Sequence, residues 1–438
     1  MRLRRSRRVR RIAVASALVV AALAGSVLLV HYYQPLRRDL GLPYTASGPL
    51  HTYGSSVGVR GAGATIDFTP SGRYLAYIWQ EAEYLRPAKL GARPRTLAET
   101  MELRLRRMGG DAPERRIPLD SIDLRPEGEV YYTLGACVYA SPDSRYVAAA
   151  TGRRLVIADV ETGEHRAISY DGEFFRGCAW LSGSELVFVT NDGQTVSYWR
   201  YDINLPAGER VKVYEEPGRR LELHGGLPPR MHSSGWSPNG RYHTSCRGLR
   251  PDHEFRIVDM RTGQAQTFAI DASQQCWKLD DSALLVHSRG PDARVVLIDP
   301  VTGQTQDLSA EFRAEFGEEI DFSFAAPVWT PDGQYVVTHT DRPTPGTYTG
   351  DYRGCVVRPS PFEVVLSRDR ILRWSPVPGW VLEQGGRSFK WVAVSAGRTA
   401  HIRGWVNDWT WSRDGRLAAK LDGGDIEVLR PEWPPGLD

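Results

Sequence analysis

The chain has 438 residues, 41% hydrophobic and 24% charged, a globular balance that excludes a disordered or collagen-like chain. Its formal charge of +3 hides an asymmetry: Arg2, Arg4, Arg5, Arg7, Arg8, Arg10 and Arg11 precede residue 12, and without them 48 basic residues face 52 acidic ones. The remainder lacks the basic excess of a nucleic-acid-binding domain, so no nucleic-acid partner is expected.

Residues 1–11 read as a basic cytoplasmic tail. Ile12 to Val30 follows without a charge for 19 residues, about 28 Å of helix at ~1.5 Å per residue, enough to cross a hydrocarbon core. The arginines before it, against only Arg37 and Arg38 soon after, put the N-terminus in the cytosol and the rest outside. The expectation is a single-pass signal anchor that holds the protein in the cell membrane through residues 12–30. Ala22-Leu23-Ala24 fits a signal-peptidase site, which makes secretion after cleavage the alternative. Ser6-Arg7-Arg8-Val9 resembles the start of a twin-arginine signal, but Arg10 and Arg11 stand where apolar residues are usual. The Arg-rich tail also suits anionic lipid head groups. The preference for arginine over lysine, 50 against 5, fits a GC-rich bacterial source.

Residues 31–60 form a linker, and 61–433 repeat one short pattern. An aromatic, Ser or Thr, Pro, a turn residue and Gly lead through Arg or Gln to Tyr and an apolar run. Copies are Phe68-Thr69-Pro70-Ser71-Gly72-Arg73-Tyr74, Ala140-Ser141-Pro142-Asp143-Ser144-Arg145-Tyr146, Trp236-Ser237-Pro238-Asn239-Gly240-Arg241-Tyr242 and Trp329-Thr330-Pro331-Asp332-Gly333-Gln334-Tyr335. Trp411 opens a copy without Pro, and Trp180 and Trp277 open weaker ones. Pro presets φ, Asp or Asn bonds back to the backbone and Gly takes positive φ, so each copy is a hairpin turn. A second pattern, an apolar strand ending in Asp followed by Thr-Gly, recurs at Asp159–Gly163, Asp259–Gly263 and Asp299–Gly303. Two hairpins per unit make four strands. The copies at 68, 140, 180, 236, 277, 329 and 411 lie 72, 40, 56, 41, 52 and 82 residues apart. The first gap is expected to hold an insert, Glu81 to Thr100, before a strand Met101–Arg107. The last gap has room for another unit, since Trp374-Ser375-Pro376 lies inside it.

These paired patterns are similar to the WD40-like repeats of TolB-type bacterial β-propellers and to the propeller blades of prolyl-oligopeptidase-like S9 peptidases. The resemblance implies an all-β fold of seven blades, with six or eight as alternatives, and a binding platform with no catalytic residues to carry over. It also implies closure of the ring, since closure removes exposed sheet edges. The last unit offers Leu417–Leu421 and Asp425–Arg430, and a strand from within Leu50–Val59 is expected to complete it. An S9 hydrolase domain would need a whole further domain, whereas a tail of 434–438 follows the repeats.

Candidate chemistry is sparse. Gly54-Ser55-Ser56-Val57-Gly58 matches G-x-S-x-G, but no helical pattern follows it, so it reads as linker. His253-Glu254 does not extend to a zinc motif, and His224 and His232 flank a Gly-Gly-Leu-Pro-Pro loop where they could meet a metal. Asn191-Asp192-Gly193 and Asp422-Gly423-Gly424-Asp425 read as turns, and the pairs Asp280-Asp281 and Glu318-Glu319 as solvated loop faces. Trp374, Trp380, Trp391, Trp405, Trp409 and Trp411 are expected mostly in core, a minority forming a sugar- or peptide-binding rim. The five cysteines are odd in number. Cys137, Cys178 and Cys276 lie just before a repeat's first position, as buried small residues would. No catalytic, cofactor or metal residue is assigned. The expected function is recognition of a protein or glycan partner in the cell envelope. The alternatives are a lactonase- or lyase-type enzyme in the propeller channel and envelope sensing through a membrane partner.

Overall fold

The computed structural model describes residues 43–49, 66–85, 95–110, 112–123, 137–151, 154–169, 174–192, 194–206, 209–217, 235–247, 254–270, 272–288, 294–316, 327–342, 351–373, 375–385, 388–395, 399–402, 410–412, 416–422 and 425–430. The basic tail, the apolar span 12–30 and the strand expected within Leu50–Val59 lie outside these residues. Among the described residues no helix is long and apolar enough to cross a membrane.

Eight sheets follow one another among the described residues, antiparallel wherever their register is described. The first holds β1 (Pro43–Pro49), β2 (Ile66–Phe68), β3 (Tyr74–Leu85), β4 (Arg95–Arg107) and β5 (Arg115–Asp123), in the order β1-β3-β4-β5 with β2 also on β3. The second is β6 (Cys137–Ala140), β7 (Tyr146–Ala150), β8 (Arg154–Asp159) and β9 (His165–Ser169); the third is β10 (Phe174–Trp180), β11 (Glu185–Asn191), β12 (Thr195–Asp202) and β13 (Val211–Pro217). The fourth comprises β14 (Tyr242–Arg247), β15 (Glu254–Asp259) and β16 (Ala265–Phe268), and Trp236 bridges to His243 where an innermost strand would stand. β17 (Ala272–Trp277), β18 (Leu284–Ser288), β19 (Val295–Ile298) and β20 (Thr305–Asp307) make the fifth, followed by the helix Ser309–Phe316. The sixth is β21 (Val328–Trp329), β22 (Val336–Arg342), β23 (Asp351–Pro359) and β24 (Phe362–Arg368). The seventh is β25 (Ile371–Arg373), β26 (Trp380–Gly385), β27 (Ser388–Ala393) and β28 (Thr399–Ile402), and the eighth β29 (Thr410–Trp411), β30 (Ala418–Asp422) and β31 (Asp425–Leu429).

The all-β class is as expected, and the longest gap between repeat copies holds a complete sheet, the seventh. One expectation changes. The segment 81–100 is not a plain insert before Met101, because β3 runs on to Leu85 and β4 begins at Arg95. A hairpin can lengthen at little cost, since each added residue pair brings its own hydrogen bonds.

The chain divides into two compact units, a smaller one of residues 1–48, 80–101 and 120–132 and a larger one of 49–79, 102–119 and 133–438. In the smaller unit the Thr100 hydroxyl donates to Glu81 O at 3.4 Å. The larger unit contains the repeats.

In the copies that carry Ser or Thr at the second position, that residue closes the turn. Tyr146 N donates to Ser141 Oγ at 2.9 Å, Tyr242 N to Ser237 Oγ at 3.0 Å and Tyr335 N to Thr330 Oγ1 at 3.1 Å. The Pro-less copy keeps the bond, Leu417 N to Ser412 Oγ at 2.9 Å. These hydroxyls are buried, so they replace water that the turn's backbone cannot reach. In the second pattern the Asp carboxylate caps the loop. Asp159 Oδ1 accepts from Glu161 N and Thr162 N at 2.9 and 3.0 Å, and Asp299 Oδ1 from Val301 N and Thr302 N at 2.8 and 3.1 Å. The Arg of the first pattern reaches the Asp of the second: Arg145 Nε lies 3.3 Å from Asp159 Oδ2, and Arg241 Nη2 3.0 Å from Asp259 Oδ2.

Asp299 is held below the usual carboxylate range by the Thr302 and Val301 N–H groups. Burial alone would raise Asp159, but the N–H groups of Thr162 and Glu161 and the Arg145 guanidinium outweigh it and lower it. A carboxylate whose folded value is depressed stabilises the fold above its unfolded value of 3.8 and stops doing so as pH falls through the folded value. Thermal melts between pH 5 and 3 should therefore show a smaller loss of midpoint in Asp299→Asn than in wild type, because an amide cannot be neutralised by acid. Parallel pH profiles would contradict this.

Sheets pack face on face in chain order. Tyr139, Ala148 and Leu155 of the second meet Cys178, Trp180 and Phe188 of the third. Leu181, Val187 and Tyr198 of the third meet Trp236 and Val258 of the fourth. Tyr242 of the fourth stacks on Trp277 of the fifth, centroids 5.5 Å apart. Cys276 and Leu285 of the fifth meet Trp329 and Cys355 of the sixth, and Val337 and Val356 of the sixth meet Leu372 and Val381 of the seventh. Ile66, Phe68, Leu75 and Tyr77 of the first sheet share one core with Leu417, Ala419, Ile426 and Val428 of the eighth. The last sheet therefore lies on the first.

Candidate functional site

Many of the residues singled out from sequence lie outside the described part: Gly54–Gly58, His224, His232, Glu318-Glu319, Trp374, Trp405 and Trp409. Asp192 is a turn residue as expected, its Oδ1 accepting Gln194 N at 2.7 Å and Thr195 N at 2.6 Å, and Asp422 pairs with Asp425 across a hairpin. Trp391 is buried and Trp380 half-buried. Cys178 and Cys276 are buried and Cys137 partly so.

Asp281 corrects the reading of Asp280-Asp281 as solvated. Asp280 is exposed, but Asp281 is only 6% exposed. Its backbone takes a φ of 61°, which turns the carboxylate away from solvent and onto the fourth sheet's turn. There it accepts Ser237 Oγ at 2.8 Å and Asn239 N at 3.1 Å. Burial raises its pKa despite these donors. The residue braces one repeat turn against the next sheet.

The largest buried polar cluster does similar work between the third and fourth sheets. Glu216, on β13, accepts Tyr198 Oη at 2.9 Å and Ser245 Oγ at 3.3 Å on Oε1, and Arg256 Nη1 at 2.5 Å on Oε2. Arg256 also donates to Tyr214 Oη at 3.1 Å and to Glu254 Oε2 at 3.2 Å. Burial, then the neighbouring Glu216 carboxylate, pushes the Tyr198 phenol up. In the first sheet Arg104 lies 3.8 Å from the Trp79 ring centre, its Nε donating to Glu102 at 3.1 Å, while Tyr77 donates to Glu114. Both clusters pair their charges internally, so they hold strands together and offer no free acid or base. Among the described residues no three His, Cys, Asp or Glu side chains gather as a metal site would require.

The outer strands of the third sheet differ. Trp199 of β12 stacks on the core ring of Phe188, centroids 6.4 Å apart, and its indole N–H donates to Thr190 Oγ1 at 2.8 Å. Arg210 lies over the outer face of that ring at 4.2 Å and the Lys212 ammonium at 5.2 Å. On the opposite face of β13 Val211 is 53% exposed, and Leu205, after β12, is 41% exposed. Leu205 is fixed, since Leu205 N donates to Asp202 O at 3.0 Å and Leu205 O accepts from Arg166 Nη1 at 3.0 Å and Tyr201 Oη at 3.0 Å. Among the described residues only Val301 is another large apolar side chain this exposed. β13 is also the outermost strand of its sheet. Lys212, the bulge between Tyr198 and Trp199, and Pro217 are devices that keep an edge from pairing indiscriminately. They leave recognition to side chains: Lys212 is already paired with Glu215 at 2.7 Å, so what this edge offers a partner is its exposed apolar groups, Leu205 and Val211. The sequence hints at this only through the aromatic run Tyr198-Trp199-Arg200-Tyr201, which exceeds what an outer strand needs for packing.

No protein-family model and no curated protein matches the chain. Among solved structures it is similar to the Dos1 propeller, with a TM-score of 0.50 at 12% identity over 87% of this chain and 95% of that one. It is also similar to the Myceliophteria thermophila Cps50 (Swd1) β-propeller domain, at 0.37 and 12% over 78% and 97%, and to TolB from Acinetobacter baumannii, at 0.32 and 14% over 89% and 98%. The Dos1 likeness, joined to sheets that pack in chain order and a last sheet seated on the first, makes the fold a β-propeller, as the repeats led us to expect.

Proposed function

We propose that the protein is a non-catalytic binding platform, a β-propeller held outside the cell membrane by residues 12–30 and recognising a protein partner of the cell envelope. Each of the eight sheets is one blade in this reading. The observation that carries it is the outer edge of the third sheet, where Leu205 and Val211 are exposed and the sheet face opposite Val211 carries the Trp199 ring under Arg210 and Lys212. Buried apolar and aromatic anchors contribute most of the affinity at such interfaces. The arginines of the tail and the uncharged span support the membrane placement.

The test is capture by cross-linking from intact membranes with the full-length chain, comparing wild type with Trp199→Ala and Val211→Glu. Loss of one anchor worth ~1.4 kcal/mol weakens binding about tenfold, so the partner band should fall by about that factor in each variant. Equal recovery from wild type and both variants would remove this surface from the proposal. Release of the chain by alkaline washing would remove the anchor.

A further inference from the structure

We propose that Cys137 and Cys178 form a disulfide that ties the innermost strands of the second and third blades together. The two thiols face each other across one seam. Cys137 and Tyr139 are alternate residues of β6, so they share a face, and Cys178 and Trp180 are alternate residues of β10. All four belong to the core between these sheets. The levels of the strands are set by the Trp180 indole N–H, which donates to Tyr139 O at 2.9 Å. Two residues back along each strand lie Cys178 and Cys137, close enough to interact electrostatically. The Tyr139 hydroxyl hydrogen-bonds the Cys137 thiol and the Cys178 backbone, which puts both cysteines around one group. Gly177, at φ 128°, makes room for this: a Cβ there would lie 3.5 Å from Tyr139 Oη and 3.2 Å from Trp236 Nε1. Inner strands β6 and β10 are neighbours across this seam, and a disulfide requires their Cα atoms to stand about 4.4–6.8 Å apart. Cys276 is already engaged elsewhere, its sulfur accepting Trp329 N at 3.3 Å.

In the structure both groups are thiols. Burial pushes Cys137 up to about 11 and holds Cys178 well above its ordinary value, so in the folded protein neither is a nucleophile. The bond therefore forms while the seam is still open. The Cys137 thiolate attacks a disulfide oxidant and releases one thiol. The Cys178 thiolate then displaces the second thiol, so the two electrons and two protons leave with the reduced oxidant. Where the protein sits decides only whether such an oxidant is met in the cell.

The experiment refolds the full-length chain in detergent with oxidised and reduced glutathione, then alkylates it under denaturing conditions and maps the peptides. The expected result is a Cys137–Cys178 linked peptide lighter by two hydrogens than its reduced pair, absent in Cys137→Ser and Cys178→Ser. The oxidised protein should also melt several degrees above the reduced one, a gap that the double Cys137→Ala/Cys178→Ala variant lacks. Quantitative alkylation of both residues after oxidative refolding, or linkage of either to another cysteine, would overturn the proposal. Neither result bears on the binding surface, which membrane capture tests separately.

Discussion

Glu216→Ala should lower unfolding free energy by about 3–5 kcal/mol, the cost of leaving one partner of a buried ion pair uncompensated. The Arg256 side chain is only 12% exposed, and truncation leaves it the more exposed Glu254 carboxylate and the Tyr214 hydroxyl alone, while Tyr198 Oη loses its acceptor. Urea melts read the effect as a lower midpoint with little change in slope. The double variant Glu216→Met/Arg256→Met should recover most of the loss, because well-packed apolar side chains replace a buried pair at small cost. If the single variant loses less than ~1 kcal/mol, a solvated pair of the surface kind would be the better description, and the seam between the third and fourth sheets would rest on apolar packing alone.

Gly240→Ala and Gly72→Ala should behave differently although they alter the same position of two repeat copies. Their backbones are nearly identical, with φ of 67° and 68°. A left-handed conformation costs an alanine about 1–2 kcal/mol, and at Gly72 that is the whole expectation, since the nearest atoms to a Cβ are 3.9 and 4.0 Å away. At Gly240 a Cβ would meet the Trp180 carbonyl oxygen at 2.8 Å and its carbon at 2.9 Å. Overpacking adds about 1–3 kcal/mol, so Gly240→Ala should lose roughly 2–5 kcal/mol in all. Equal losses in the two variants would show that the turn moves away from Trp180 freely.

Much of the fold is legible in the chain because a turn's requirements are local. Ser141, Asp143 and Tyr146 lie within six positions, and the bonds that close their turn need no other segment. The same holds for Asp159 with Thr162 and for Asp192 with Thr195. Propeller blades could thus be recognised from hairpin punctuation before any sheet was seen. The seventh sheet announced itself only through Trp374-Ser375-Pro376, for the rest of its sequence departs from the repeat. Asp281 was misread because its surroundings are polar and turn-like in sequence, whereas its partners Ser237 and Asn239 lie some forty positions back.

Local chemistry in the amino-acid order therefore determined the hairpins and the all-β class. Tertiary packing decided which carboxylates are buried, which of the fixed aromatics remain at the surface and which thiols face one another. Glu216 and Arg256 are 40 positions apart, and Cys137 and Cys178 share a core only because two neighbouring sheets pack together. Burial and pairing are properties of neighbouring blades, and no single hairpin contains them.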